Sequence, residues 1–364
     1  MTNAREIITK AAVLYGPKEL KFESWKLPPL RPGHVLIKVT SANICPTDVR
    51  KYWGYTKLPV PVILGHEGAG IVEGIIDEDS NIREEDKVWI RPIIYWCGLC
   101  KYCKRGAINL CEKMVALGFA GGSVEVGVKL QQDGMLGLFS EYTIIPKHAL
   151  IKLPKSISLE EATFIDPLSC IVKAMEDSRL SEQDQVVVIG CGPMGLLAIQ
   201  TAKIKGAEKI IAIEPIEERR ILASQFGANY TINPDEEDVI SRVIELTDYG
   251  ADVIIVSTGG SSQAENIGLA IKMAAKGGRI NIFAGAYPKQ DISVDPNLIH
   301  YKELVITGTF GYTVRHNYIA LELIEKRNID VLSIRRPILP FEELEYGFKI
   351  YGKPPALKVG LAIV

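Results

Sequence analysis

Apolar residues in the first 150 positions come in short runs rich in branched side chains. The runs at residues 35–39, 70–76, 87–90 and 141–145 are predicted as strands. Prolines interrupt the segments between them, at Pro28, Pro29, Pro32, Pro59 and Pro61. This alternation predicts an irregular β-barrel in the N-terminal part of the chain.

The pattern changes after Pro154, where longer periodic segments begin. Ser158-Leu-Glu-Glu161 fits a capping box that starts a helix continuing towards Ser178. The strands predicted after it are residues 185–189, 209–213, 251–256 and 278–283, and the helices between them are 194–205, 217–226, 236–247 and 262–275. Uninterrupted apolar strands joined by amphipathic helices predict a parallel sheet covered on both faces.

Beyond about residue 295 this alternation loosens. An apolar segment at 304–309, a helix near 318–326 and a final strand at 356–364 follow, and we expect them to return to the first domain. The predicted domains are therefore residues 1–155, a parallel-sheet domain at 156–296, and the return at 297–364. A chain of 364 residues is long enough for two packed cores.

Composition and charge argue against several kinds of partner and of cysteine chemistry. The formal net charge is −2, so nucleic acid and anionic membranes are not expected partners. Neither a secretory leader nor a continuous apolar run of spanning length is found, and we expect a cytoplasmic protein without a membrane partner. Four of the seven cysteines crowd between Cys97 and Cys111, which in a reducing compartment favours a metal site over disulfides.

The strand at 185–189 leads directly into Gly190-Cys-Gly-Pro-Met-Gly195, which fits the G-x-G-x-x-G pattern of Rossmann domains. Gly190, Gly192 and Gly195 permit a tight turn and a close approach of the backbone to a pyrophosphate. Pro193 and Met194 stand at the start of the following helix, whose N-terminus attracts that anion. An unoccupied sheet with a glycine turn is the alternative.

The next strand ends in Glu214, where a carboxylate accepts hydrogen bonds from the adenosine ribose and repels the extra phosphate of NADP. NAD is therefore expected rather than NADP. Arg219 and Arg220 weaken this preference, because a nearby arginine accommodates that phosphate. Thr258 and Gly259 follow a later strand and are expected to line the nicotinamide half of the cleft.

Cys97, Cys100, Cys103 and Cys111 have the spacing C-x2-C-x2-C-x7-C. Short loops of this kind bring four thiolates around one tetrahedral zinc ion and leave no open position, so the site supports folding rather than chemistry. An iron–sulfur cluster also takes four thiolates, but the proline that ends the usual bacterial run is absent. Disulfides are the other alternative.

Two further motifs are Asn43-Ile-Cys-Pro-Thr-Asp48 and Gly65-His-Glu-Gly-Ala-Gly70. With the glycine turn and the four cysteines, they make the chain similar to the zinc-containing medium-chain dehydrogenase/reductase (alcohol dehydrogenase) family, in its sorbitol and threonine dehydrogenase branch. The resemblance covers essentially the whole chain. It implies an α/β protein with a GroES-like irregular β-barrel catalytic domain and a Rossmann doubly wound nucleotide domain, assembled as a homodimer or homotetramer.

The resemblance also implies a catalytic zinc ion bound by Cys45 and His66, with Glu67 beside them as a ligand or exchangeable partner. Asp166 is the further ligand that it implies, and Cys170, about one helical turn later, is a rival whose simpler interpretation is a buried small residue. A zinc site with three protein ligands keeps a position open for the substrate.

Further roles follow from the same resemblance. Thr47 is expected to hydrogen-bond the substrate oxygen, and Asp48 to orient the His66 ring. Where many relatives carry a proton-relay histidine, this chain has Arg50, which cannot be deprotonated in proteins. Either the proton leaves through Thr47, the cofactor ribose and water, or Arg50 contacts an anionic group, or Arg50 is simply solvated.

Together these parts predict an enzyme with one catalytic and one structural zinc ion, which transfers a hydride from a secondary alcohol or polyol to NAD and forms a ketone. Oxidation of L-threonine or of a sugar acid is the alternative within the class. A zinc- and nucleotide-binding protein without catalysis is the alternative from another class, and the intact set of Cys45, Thr47, His66 and Glu67 argues against it.

Overall fold

A computed structural model describes residues 7–77, 81–119 and 121–364. Its strands are β1 (Ile7–Gly16), β2 (Glu19–Leu27), β3 (His34–Asn43), β4 (Val62–Ile63), β5 (Glu67–Ile75), β6 (Lys87–Ile90), β7 (Ile93–Tyr95), β8 (Val115–Ala116), β9 (Tyr142–Pro146), β10 (Leu150–Lys152), β11 (Gln185–Ile189), β12 (Lys209–Ile213), β13 (Tyr230–Ile232), β14 (Ala251–Val256), β15 (Ala274–Ile282), β16 (Val305–Gly308), β17 (Arg335–Pro340) and β18 (Lys358–Ala362).

The helices are α1 (Pro46–Tyr52), α2 (Lys101–Lys104), α3 (Val124–Gln132), α4 (Leu159–Ala162), α5 (Ile165–Asp177), α6 (Pro193–Ile204), α7 (Glu217–Phe226), α8 (Val239–Thr247), α9 (Gln263–Met273), α10 (Pro296–Lys302), α11 (Val314–Glu325) and α12 (Leu344–Ile350). Among the described residues, no helix combines the length and the apolar character that crossing a membrane requires.

The chain forms two compact units. The first unit contains the described residues of Met1–Asp166 together with Thr313–Asn317 and Val331–Val364, and the second contains Pro167–Tyr312 and Tyr318–Asp330. The first unit is therefore discontinuous in sequence. The predicted domain boundaries at 155 and 296 stay a prediction, although β16 extends the second unit's sheet beyond residue 296.

The main sheet of the first unit has the strand order β10-β6-β5-β3-β18-β17 in the described chain, and β9 also pairs with β3. Strand β3 lies antiparallel between β5 and β18, with Asn43 in register with both Glu67 and Gly360. Buried aliphatic and aromatic side chains such as Val39, Leu64 and Phe139 pack against this sheet. The C-terminal end of β3 thus lies beside the N-terminal end of β5, and both predicted zinc motifs begin there.

The helix predicted from Ser158 to Ser178 is two helices. The capping box is present at its start, since the Glu161 amide donates to Ser158 Oγ at 3.1 Å and the Ser158 amide donates to Glu161 Oε2 at 2.8 Å. The first helix, α4, ends at Ala162. Thr163 Oγ1 donates to the Glu160 carbonyl at 2.7 Å, which offers that carbonyl a partner outside the helical pattern and favours the break before α5.

The second unit contains a parallel sheet of order β13-β12-β11-β14-β15-β16 among the described residues. Every pairing in it is parallel, as the uninterrupted apolar strands predict. Strands β11, β12 and β14 begin and end where the sequence pattern places them, and all three are buried in their apolar positions. Their carboxyl ends meet at one edge of the sheet, where ligands of such sheets bind.

Candidate metal and nucleotide sites

Three candidate ligands come together where β3 and β5 meet. Cys45 follows β3 as the residue before α1, and His66 directly precedes Glu67, the first residue of β5. One donor atom from each of these three side chains lies within 4.8 Å of the other two. Because β3 and β5 are paired neighbours, motifs about twenty residues apart in the sequence become adjacent in space.

The His66 ring is oriented by a buried carboxylate. Asp48 Oδ1 lies 3.3 Å from His66 Nδ1, and Asp48 Oδ2 accepts from the Cys45 amide at 3.1 Å. The other ring nitrogen, Nε2, lies 3.5 Å from Thr47 Oγ1. This arrangement leaves Nε2 as the nitrogen available to a metal, since metal-binding histidines commonly direct their other ring nitrogen at a carboxylate.

Electrostatics around these side chains favours a ligating thiolate. Burial works against the charged forms, but the charge of His66 and its hydrogen bond lower the pKa of Cys45 to about 7. Burial likewise opposes protonation of His66, while the charges of Asp48 and Cys45 raise its pKa well above the usual value. A dication placed among these groups takes over the stabilising role of the imidazolium, because it interacts favourably with the same thiolate.

Glu67 forms a buried ion pair that the sequence did not reveal. Lys358 Nζ lies 2.6 Å from Glu67 Oε1, and the two side chains are 1% and 2% exposed. Although burial disfavours the ammonium, the carboxylate of Glu67 raises the pKa of Lys358, which favours the charged form of the lysine. The other oxygen, Glu67 Oε2, is buried and has no hydrogen-bond partner among the residues that the structure describes.

The donor set therefore fits a zinc ion on observations of this structure. A thiol, an imidazole and a carboxylate with one orphaned buried oxygen are chemically the ligands that catalytic zinc sites use. Asp166 is on α5, 8% exposed, and is outside this set of mutually close donors. Burial, opposed by Lys358, raises the pKa of Glu67, and the charge of Asp166 contributes to the rise. Cys170 is partly exposed and belongs to the second unit.

The four cysteines form a second donor cluster. Their sulfurs lie within 4.8 Å of one another, with separations of 3.9 Å for Cys97–Cys103, 3.5 Å for Cys100–Cys103 and 3.6 Å for Cys97–Cys111. These distances are far longer than a disulfide bond of about 2.05 Å. Backbone amides of Leu99 and Cys100 lower the pKa of Cys97 to about 6. Four free, converging sulfurs with N–H support fit a closed tetrahedral zinc site.

In the second unit, the three glycines of the turn after β11 have three different environments. Gly190 has φ +88°, a left-handed conformation that favours glycine. A Cβ on Gly195 would lie 1.9 Å from the Gly190 carbonyl oxygen, so the helix can approach the turn only without a side chain there. A Cβ on Gly192, the residue before α6, would meet nothing within 4 Å in the described part of the chain. Open space thus lies in front of the N-terminus of α6, with Pro193 and Met194 as its first residues.

Glu214 fixes this turn from the next strand. Its Oε2 accepts from the Cys191 amide at 2.7 Å and its Oε1 accepts from the Ile216 amide at 3.1 Å. Arg219 Nη1 lies 4.0 Å from Glu214 Oε1. Beyond β14, Thr258 Oγ1 accepts from Asn266 at 2.9 Å, and Gly259 precedes a short 3-10 turn. The predicted nucleotide residues therefore gather at the carboxyl ends of β11, β12 and β14.

Comparisons with known proteins identify the family to which the chain belongs. The family model of the alcohol dehydrogenase GroES-like domain matches residues 31–155, and that of the zinc-binding dehydrogenase matches residues 193–326. An L-threonine 3-dehydrogenase of Pyrococcus abyssi is 33% identical, with 96% of each chain covered. A protein of Aspergillus clavatus named as a probable D-xylulose reductase A is 30% identical, with 93% of this chain and 92% of that one covered.

Among solved structures, the 2R,3R-butanediol dehydrogenase of Bacillus subtilis has a TM-score of 0.85 at 28% identity, covering 98% of this chain and 100% of that one. The chain belongs to the zinc-containing alcohol dehydrogenase family of medium-chain dehydrogenases/reductases. Its fold is a GroES-like domain with a Rossmann-type parallel sheet. It is accordingly a zinc-dependent oxidoreductase of small-molecule alcohols that uses a nicotinamide dinucleotide.

Proposed function

We propose that this protein oxidises a secondary alcohol or polyol to a ketone with NAD, and that its catalytic zinc is held by Cys45 and His66 with Glu67 and Asp166 as further candidate ligands. The observation that carries the proposal is the convergence of a thiol, an imidazole and a buried carboxylate within 4.8 Å. Zinc bound there supplies Lewis-acid stabilisation of the charge that develops on the substrate oxygen. With Cys45, His66 and one of these carboxylates as ligands, one position would remain for that oxygen.

The residues around the donors have separate tasks in this proposal. Asp48 holds the His66 ring so that Nε2 faces the metal position. The Thr47 hydroxyl, 3.5 Å from that nitrogen, accepts the proton that leaves the substrate hydroxyl and passes it outward. Arg50 stands one turn along α1 and cannot serve as a base, so the outward route runs through the cofactor ribose and water.

NAD is the proposed dinucleotide. Glu214 is 3% exposed and presents a carboxylate at the end of β12, where it accepts from two backbone amides and repels a further phosphate. Gly190, Gly192 and Gly195 with Thr258 and Gly259 surround the proposed dinucleotide position, and Arg219 completes it beside Glu214. Cys97, Cys100, Cys103 and Cys111 hold the structural zinc in the same proposal.

L-Threonine is the second candidate substrate. The observation in its favour is the similarity to L-threonine 3-dehydrogenases, whereas the relatives named for xylulose and butanediol favour a polyol or diol. A carboxylate on the substrate, in threonine or a sugar acid, would give Arg50 an anionic partner. The substrates thus differ by whether they carry a charge near the reacting hydroxyl.

The test is a panel of initial rates with zinc-loaded protein, NAD and NADP being offered separately. Sorbitol, xylitol, 2,3-butanediol, gluconate and L-threonine are compared by kcat/KM. We expect a neutral polyol or diol with NAD to give the highest value. A preference for L-threonine or gluconate, lost on Arg50→Gln, would replace the neutral substrate by an anionic one. A preference for NADP would overturn the dinucleotide assignment.

A second test concerns the ligands themselves. Cys45→Ser is expected to lose the catalytic zinc and essentially all turnover while it keeps the structural zinc, as measured by metal content and activity. An active Cys45→Ser protein would contradict the ligand assignment. We also propose that the protein is a cytoplasmic homo-oligomer, paired through the sheets of its second unit.

A further inference from the structure

A buried lysine lies close to the proposed catalytic zinc site. Lys51 is near the end of α1 and is 6% exposed, and its Nζ donates to the Gly118 carbonyl at 3.2 Å. Asp48 precedes it by one helical turn, and their charges attract each other. A buried ammonium is costly unless it is paired and hydrogen-bonded. Which part of the chain Lys51 holds in place therefore depends on the residues that Gly118 contacts.

Gly118 packs directly against the backbone of Gly65. A Cβ on Gly118 would lie 2.4 Å from the Gly65 carbonyl oxygen and 2.7 Å from the Gly65 nitrogen. Both glycines have positive φ, +57° and +94°. The Leu138 amide also donates to the Gly65 carbonyl, at 2.9 Å. The peptide that precedes His66 is thus held between two neighbouring segments of the chain.

Two contacts therefore run from α1 to His66. Asp48 reaches the imidazole ring directly, at 3.3 Å from Nδ1. Lys51 reaches the backbone of His66 through Gly118 and Gly65. Both begin on the helix that starts immediately after Cys45. The ring contact sets the rotation of the imidazole, and the backbone contact sets where its Cα lies relative to Cys45.

We propose that Lys51 is a positioning residue, which fixes the separation of His66 and Cys45 through Gly118 and so strengthens retention of the catalytic zinc. This inference rests on the proposed ligand role of Cys45 and His66. Lys51 donates its hydrogen bond to a backbone carbonyl and acts on His66 through backbone contacts. Its loss should therefore weaken metal binding at one site and leave the four-cysteine site unchanged.

The test compares Lys51→Met with Lys51→Arg. Catalytic zinc is measured as the metal released to a chelator over time, and the four-cysteine zinc in the same sample serves as the internal standard. Cobalt(II) substituted at the catalytic site gives absorption bands that report ligand geometry. We expect Lys51→Met to weaken catalytic metal binding about 10–100-fold, the range for loss of a contact that supports a ligand, and Lys51→Arg to recover part of it.

A second pair of variants isolates the Gly118 contact. Gly118→Ala places a methyl group against Gly65 and should release the same zinc ion faster. Gly33→Ala is the matched control, because Gly33 has φ +78° but a Cβ there meets no described residue within 4 Å. If Lys51→Met does not fold, Lys51→Gln replaces it, because its uncharged amide nitrogen is one bond closer to the backbone than Nζ and therefore weakens the same contact with the Gly118 carbonyl.

The possible results distinguish the positioning role of Lys51 from the ligand assignment on which that role rests. Parental zinc retention and parental cobalt bands in Lys51→Met or Lys51→Gln would overturn the positioning role while the proposed function stands. Equal zinc loss in Gly118→Ala and Gly33→Ala would show backbone strain rather than contact, and would also overturn it. If Cys45→Ser keeps both zinc ions, the ligand assignment fails first, whatever Lys51 does.

Discussion

At the scale of single residues, we expect removal of the Glu67–Lys358 pair to cause the largest loss of folding stability. Both side chains are almost fully buried, so Lys358→Met leaves an unpaired carboxylate in the interior. Breaking such a pair by removing one partner costs about 3–5 kcal/mol. We expect that loss in the free energy of unfolding, measured by denaturant titration of proteins with equal zinc content.

The control for this prediction is an exposed pair. Lys326, the residue after α11, has its Nζ 2.5 Å from Oε1 of Glu322 on that helix, but the two side chains are 61% and 58% exposed. Because solvent screens exposed charges, Lys326→Met should leave the free energy of unfolding nearly unchanged. Equal losses in Lys358→Met and Lys326→Met would contradict the role assigned to the buried pair.

The candidate donors could be predicted from the sequence because they stand in short local motifs. Cys45, His66 and Glu67 lie next to a proline or between glycines, and the resemblance gives them a meaning. Lys358 could not be assigned a partner, since Glu67 is 291 residues away. The available signal was that Lys358 is the one charged residue in the apolar run from Ala356 to Val364. Lys51 gave no such signal because its partner is a backbone carbonyl.

At the scale of elements, the glycines of the turn between β11 and α6 differ in whether they matter for folding or for dinucleotide binding. Gly192 has ordinary φ, and a methyl group there would stand in open space, so Gly192→Ala should fold with parental stability. The same methyl group would occupy the space proposed for the pyrophosphate, and we expect affinity for NAD to fall at least about tenfold, or about 1.4 kcal/mol. Binding is measured by fluorescence titration of NADH.

Gly195→Ala is the contrasting change in the same turn. Its Cβ would lie 1.9 Å from the Gly190 carbonyl oxygen, so β11 and α6 would have to separate. We expect a lower thermal midpoint as well as weaker NAD binding. Unchanged NAD affinity in Gly192→Ala would show that the dinucleotide does not approach this turn.

We expect the four-cysteine segment to contribute to stability through its own zinc ion, separately from the catalytic site. Cys100→Ser removes one of four sulfurs around the proposed structural zinc, and Ile93, Ile108 and Met114 pack beside that cluster. We expect loss of one zinc ion per chain and a fall of at least about 5 °C in thermal midpoint. Cys170→Ser is the control, because Cys170 is outside both donor clusters. Zinc loss in Cys170→Ser would instead favour it as a ligand.

Prediction of elements succeeds where burial dominates and fails where it does not. Strands β11, β12 and β14 are runs of buried aliphatic residues, and their limits follow from the apolar pattern alone. The same pattern does not predict strands β1 and β2. Most positions of β2 are at least partly exposed, so its alternation is blurred by polar residues on both faces. The break between α4 and α5 depends on a Thr163 hydrogen bond that no periodicity encodes.

At the scale of the whole molecule, the proposed assembly can be tested at strand β16. This strand is at one edge of the second unit's sheet in the described chain, and Val305 on it is 44% exposed. A lysine on an edge strand opposes pairing with another chain. We therefore expect Val305→Lys to shift the protein towards the monomer in analytical ultracentrifugation.

The matched control is Val124→Lys, since Val124 is 45% exposed and belongs to the first unit. It introduces the same charge at a similar exposure but far from β16 in sequence. An unchanged oligomer in Val305→Lys, or a monomeric parent protein, would contradict pairing through this sheet.

The discontinuity of the first unit has a consequence for the order of events during synthesis. All strands of the second unit's sheet in the described chain have been made once β16 has been made, whereas β3 lacks its neighbour β18 until Lys358–Ala362 has been made. Nascent domains fold as their residues become available. Glu67 would therefore lack Lys358, its counter-ion, until the chain has been made as far as β18. We expect the nascent chain to acquire its dinucleotide fold first, and to become competent for catalytic zinc only after Lys358 has been made.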